Sequence, residues 1–144
     1  MAHATMTAFG YPELLIREYD HWTVQLRPKQ ATLGALVLIA KAEVTAFAEL
    51  PDAAFTELAQ PVRDIQLALH ALFGPDQLNY LKLMMVDPHV HDHVLPRYSG
   101  TRTYRGAGFT DPGWPGPPQI AHDNAVDAAV RDGLLADLRA AWPA

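Results

Sequence analysis

The chain has 144 residues, 49% of them hydrophobic and 19% charged, a composition that fits one globular domain with its own core and excludes a disordered or membrane-embedded class. The formal net charge of -5, with lysine and arginine scattered, argues against a general nucleic-acid binder while leaving a small nucleotide compatible. Cysteine is absent, which excludes disulfides, thiolate nucleophiles and thiolate zinc sites together.

Residues 1–12 read as a flexible N-terminal arm ending at Gly10 and Pro12, with no role expected for His3. This segment lacks the basic start and apolar run of a secretory leader, and no stretch approaches a membrane span. The expected location is therefore cytoplasmic, with no membrane partner. Leu14 to Tyr19 and Trp22 to Leu26 are short, rich in branched and aromatic residues, and predict two strands joined at Asp20-His21. Arg27-Pro28-Lys29-Gln30 is a basic loop, and the apolar run Ala35 to Ala40 suits a central strand. Pro51-Asp52 opens a long helix that Gly74 closes, with a stripe of Phe55, Leu58, Val62, Ile65, Leu69 and Leu72 and a kink at Pro61. His70 falls on its solvated side.

Leu78 to Met85 predicts a further strand, joined through Val86-Asp87-Pro88 to His89-Val90-His91-Asp92-His93-Val94-Leu95, which Pro96 is expected to end. If Met85 pairs with His89, residue numbers across this hairpin sum to about 174, and Lys82 stands opposite Asp92 as a structural ion pair. Residues 99–118 are dense in glycine and proline and predict a long irregular loop. Asp123 or Asn124 then caps a final helix, where Val126, Val130, Leu134, Leu138 and Trp142 form a stripe seeking its own sheet or a partner's. His122 reads as a loop residue. The expected division is an arm (1–12), the body of the domain (13–98), and a loop and helix (99–144) that complete the same domain.

Alternating histidines acquire meaning on an extended strand, where side chains at i, i+2 and i+4 leave one face about 7 Å apart. His89, His91 and His93 would then share a surface. Four readings are open: packing alone, a zinc or iron site, phosphoryl chemistry with a neutral imidazole as nucleophile, and a nucleotide-binding surface without turnover.

His89-Val90-His91-Asp92-His93-Val94-Leu95 with Pro96-Arg97-Tyr98 resembles the histidine triad (HIT) motif, three histidines alternating with apolar residues. The likeness extends over roughly residues 12–98, since Trp22 to Leu26, Leu33 to Ile39, a long helix and Leu78 to Met85 follow in HIT order. The resemblance implies an α+β fold: a five-stranded antiparallel sheet, one long helix packed on it and a C-terminal helix. It implies a nucleotide-phosphate hydrolase or nucleotidyl transferase in which His91 attacks the α-phosphorus, and His89 and His93 orient it and donate to oxygens. It further implies nucleoside monophosphate derivatives or dinucleotides as partners, no cofactor and no metal, and a homodimer. A non-catalytic nucleotide-binding module and a metal-dependent hydrolase using the three histidines are the alternatives. Asp92 stands where the motif has an apolar residue, and Ala35 follows Gly34 where many members carry histidine. With so short a connection before the triad, Asn79 and Arg27 are the expected phosphate contacts.

Overall fold

A computed structural model describes residues 2–144. The main sheet has five antiparallel strands in the order β1-β2-β3-β5-β4: β1 Leu15–Glu18, β2 Trp22–Leu26, β3 Leu36–Ala40, β4 Gln77–Leu81 and β5 His91–Arg97. The α+β architecture is the expected one. β2 and β3 pair without a slip from Trp22↔Ala40 to Leu26↔Leu36, and every residue of both strands is buried. Gly34 enters β3 at φ +83, and a Cβ there would stand 2.8 Å from the Phe73 ring, so only glycine fits this approach.

One face of the sheet carries Trp22, Val24, Leu26, Leu36 and Leu38 onto the helices α2 (Asp52–Glu57), α3 (Ala59–Leu72) and α4 (Ala128–Ala141). The long helix expected from 51 to 74 is divided into α2 and α3 at Leu58. Pro61 has no N–H to give the carbonyl of Glu57, and the break falls on that missing bond. The buried face is also rotated from the expected stripe: Ala54, Pro61, Ile65, Ala68 and Leu69 are covered, while Phe55 and Val62 are exposed. α4 is capped by Asp127, whose side chain accepts from the Val130 N–H, and not by Asp123 or Asn124. It docks on its own chain through Val130, Leu134 and Leu138. Tyr19 ties the ends together, donating to Asp64 at 2.7 Å and accepting from the Trp142 indole at 2.8 Å.

Three other expectations are corrected. In the segment expected as a loose arm (1–12), Ala4–Ala8 form helix α1, with Met6 packed on Val37 and Ile39 of the second sheet face. Residues 99–118 contain a small hairpin, β6 Arg102–Tyr104 and β7 Ala107–Phe109, turning at Arg105-Gly106 with positive φ at both. Pro96 does not end β5, which runs on to Arg97. Pairing with β3 stops at Val94, so beyond it β5 has a neighbour on one side only, where a missing donor costs no ladder bond.

The β4–β5 register is the expected one, Leu78↔Pro96 through Leu81↔His93, but the strands part after Leu81, leaving residues 82–90 as a longer connection than the three-residue loop. Lys82 still meets Asp92 at 3.0 Å across the gap. No helix among the described residues is long and apolar enough to cross a membrane.

An ion pair not foreseen from sequence anchors the segment after β5. Arg97 donates to both oxygens of Asp111, at 2.7 and 3.1 Å, and to Asn79 Oδ1 and the Gly116 carbonyl, with both charged side chains almost wholly buried. Arg97→Ala would leave Asp111 charged in a site without its partner and is expected to cost about 3–5 kcal/mol of unfolding free energy in urea titration. A loss below about 1 kcal/mol would show that water replaces the guanidinium freely.

Candidate active site

β3 and β2 set the rows on the second face: His91 stands beside Ile39 and Thr23, and His93 beside Val37 and Gln25. Strand alternation therefore brings His91 and His93 to one face, their rings 5.0 Å apart and nearly perpendicular. The third histidine departs from the expectation of one shared strand surface. β5 begins at His91, so His89 sits in the bend before it, and its ring stacks on His3 at 4.2 Å between centroids.

The two nitrogens of each ring can be told apart by their partners. His91 Nδ1 lies 2.6 Å from the carbonyl oxygen of His89. A carbonyl accepts and cannot donate, so Nδ1 carries a proton, and in the neutral ring the lone pair is left on Nε2. His93 is the reverse: the Arg27 Nε–H donates to its Nδ1 at 3.3 Å, which places the proton of the neutral ring on Nε2. Burial, the Arg27 guanidinium and His91 lower the His93 pKa to about 4, so this ring is neutral at pH 7. The pair thus offers one nitrogen lone pair and one neutral N–H donor.

Both rings line a cavity of about 400 Å³. Phe9 forms one wall, with its ring 5.5 Å from that of His91 and 5.6 Å from that of His93. Residues 83–87 form another, with Met84 at φ +47, and Ile120 and Ala121 close a third side. Arg27 and Lys29 supply positive charge at the lining.

Arg27 reaches this place through a braced loop. Gln30 is buried and satisfied four times, donating to the carbonyls of Arg27 and Ala35 and accepting from the N–H groups of Gly34 and Ala35. Arg27 itself donates to the Lys29 carbonyl at 2.8 Å and the Ile120 carbonyl at 3.1 Å, joining the two loops that border the cavity. Asn79 is not brought to the cavity. It shares the parity of the histidines, but its Oδ1 is taken by Arg97 at 2.8 Å. His122 also lies apart, 3.3 Å from the Thr110 hydroxyl, and His70 is exposed on α3.

Three participants had no legible signal in sequence: Phe9, the 83–87 wall, and His3, which is buried against His89 instead of lying in a loose arm. Lys29 was visible only as part of a basic loop. Among the described residues no three side chains of His, Asp or Glu are grouped as they would be around a metal ion.

No protein-family model matches the chain, and no curated protein matches it. Solved structures do. A histidine triad protein from Bradyrhizobium japonicum superposes with a TM-score of 0.75 over 99% of this chain and 98% of that one, at 18% identity. A histidine triad protein from Marinobacter aquaeolei VT8 gives 0.75 over 99% and 95%, at 21% identity. A hypothetical histidine triad nucleotide-binding protein from Sulfolobus tokodaii strain 7 gives 0.66 over 89% and 82%, at 19% identity. With the sheet order, the two-faced β5 and these superpositions in agreement, the chain has the histidine triad fold.

Proposed function

We propose that this protein is a nucleotide-phosphate hydrolase or nucleotidyl transferase in which His91 is the nucleophile. The observation that carries the reading is the 2.6 Å contact of His91 Nδ1 with the His89 carbonyl, because it makes Nε2 the lone-pair nitrogen of the neutral ring, on a side chain lining the cavity. In this scheme Nε2 attacks the α-phosphorus, an N–P bond forms and the leaving group departs. Water then cleaves the N–P bond and restores the imidazole. Division of one displacement into two easier ones is the gain from a covalent intermediate.

His93 donates its Nε2–H to phosphate oxygens, a role that a ring kept neutral at pH 7 fills without charge repulsion from Arg27. Arg27 orients His93, and Lys29 attracts the phosphate as an exposed point charge. Asn79 has no part in this scheme as it stands, since Arg97 occupies its oxygen. The apolar wall of Leu83, Met84, Met85 and Val86 with Phe9 suits a nucleoside, with Asp87 the one carboxylate of the lining, and the substrates are nucleoside monophosphate derivatives or dinucleotides. A second copy of the chain would pair at β4, an edge strand of the sheet beside exposed Leu83, Met85 and Val86. Sedimentation giving the mass of one chain would remove the homodimer from the reading.

A second reading, a nucleotide-binding module without turnover, is favoured by the closeness of Phe9 to both rings, which crowds an incoming substrate. Hydrolysis of a fluorogenic adenosine phosphoramidate with metal chelated separates the two. Wild type is expected to turn over and His91→Asn to lose about 10³-fold or more in kcat/KM. Equal rates would show that His91 is not the nucleophile, and silent wild type that retains AMP would support the binding module.

Proton linkage gives a second expectation. The unfolded chain protonates His93 near its ordinary value of about 6.5, the folded one at about 4. The stability this group contributes is therefore fully present above about 6.5, falls as pH descends between the two values, and is exhausted below about 4. The total is on the order of 3 kcal/mol, and urea unfolding at about pH 7 and about pH 4.5 should show most of it, with the slope reduced in His93→Gln. A His93 ring resonance titrating near 6.5 in the folded protein would contradict it.

A further inference from the structure

The N-terminal helix makes polar contacts with the site that packing alone does not require. Thr5 is 1% exposed, and its hydroxyl lies 2.9 Å from His89 Nδ1. The His3 and His89 rings stack with an interplanar angle of 24°. His3 is itself fixed. The Ala40 carbonyl lies 2.7 Å from its Nε2, so Nε2 carries the proton and Nδ1 accepts from the Met6 N–H at 3.3 Å, capping α1. Gln25 holds the far end of the helix by donating to the carbonyls of Met6 and Phe9 at 3.1 and 2.9 Å. Buried polar side chains cost free energy unless partnered, and two of these contacts, the Thr5 hydroxyl and the face of the His3 ring, fall on one residue, His89.

His89 is the residue whose carbonyl fixes the proton of His91. It precedes β5, so no strand partner holds that carbonyl within the sheet ladder. The same peptide group is held at its other end, where the Val90 N–H donates to the Val44 carbonyl at 3.1 Å. The His89 side chain supplies the second attachment.

We propose that Thr5 and His3 are positioning residues: they clamp His89 so that its carbonyl keeps the His91 proton on Nδ1 and the lone pair on Nε2. The kinetic consequence rests on His91 being the nucleophile, whereas the effect on the tautomer does not. Histidine labelled with ¹⁵N in the full chain reports which His91 nitrogen is protonated. Wild type is expected to show the Nδ1–H form. Thr5→Val, of the same shape but without the hydroxyl, should mix in the Nε2–H form and lower kcat on the phosphoramidate on the order of tenfold, the scale on which outer hydrogen-bond partners act. KM should change far less than kcat, and Thr5→Ser should restore both the signature and the rate.

Unchanged His91 ring-nitrogen shifts in Thr5→Val would overturn the proposal, even if kcat fell. Thr5→Ala, which keeps a good helix former, carries the same test if Thr5→Val does not fold, and His3→Leu tests the stack and cap with the same expected direction. Wild type without turnover would sink the nucleophile reading alone, because the ring-nitrogen signature decides the positioning role independently.

Discussion

A carbonyl oxygen has no proton to give, and the site depends on that fact at His89. Its contact with His91 Nδ1 at 2.6 Å makes the two nitrogens of His91 inequivalent before any ligand arrives. A free imidazole exchanges between tautomers, so a lone pair at a chosen nitrogen is available only part of the time. Here the backbone makes the choice. The counterpart at His93, where Arg27 donates to Nδ1, makes the opposite choice on the neighbouring ring. Two chemically identical side chains two residues apart thus acquire different characters from their partners alone.

The other face of β5 carries the cost of the alternation. Asp92 must point where Leu38 and the helices lie, and a carboxylate there would be strongly disfavoured without a cation. Lys82 supplies it from just beyond the end of β4, with its ammonium also lying over the Phe47 ring at 4.2 Å. Lys82 keeps this pairing although β4 and β5 part after Leu81, and the same parting opens the 82–90 connection, whose residues 83–87 line the cavity.

What could be read from sequence follows from which features are local. The observed limits of β2 are legible because five consecutive residues of strand type sit between clear turn signals, and the β4–β5 register is the one that pairing Met85 with His89 implies, although the strands part before that hairpin closes. The placement of His91 and His93 on one face needed only the period of a strand. The rest depended on contacts distant in sequence. Nothing in His-Ala-Thr-Met-Thr-Ala distinguishes a loose arm from a short helix, and α1 forms because the sheet face offers Val37, Ile39 and Gln25 to cover it. The stripe of large apolar residues differs from the buried face because that face is lined partly by small ones, Ala54 on α2 and Ala68 on α3, which let the helices approach the sheet. Asn79 was correctly placed by parity but not by partner, because Arg97 lies eighteen residues away and its demand for an acceptor is invisible in the strand itself.

The packing of α1 on the sheet also explains why the histidines can be so thoroughly buried and still address a cavity. His91 is 2% exposed and His93 is 8% exposed, values that on an uncovered sheet face would be impossible for adjacent rings. Covering them removes water, which strengthens the hydrogen bonds that set their tautomers and penalises the charged form of His93. Phe9, at the end of the same segment, completes the cover while leaving the remaining edge of both rings to the space bounded by residues 83–87. The segment that dries the imidazoles precedes β1 and the segment that walls the cavity joins β4 to β5, so the two are far apart in sequence. Their agreement on one small volume is the structural basis for treating it as a site.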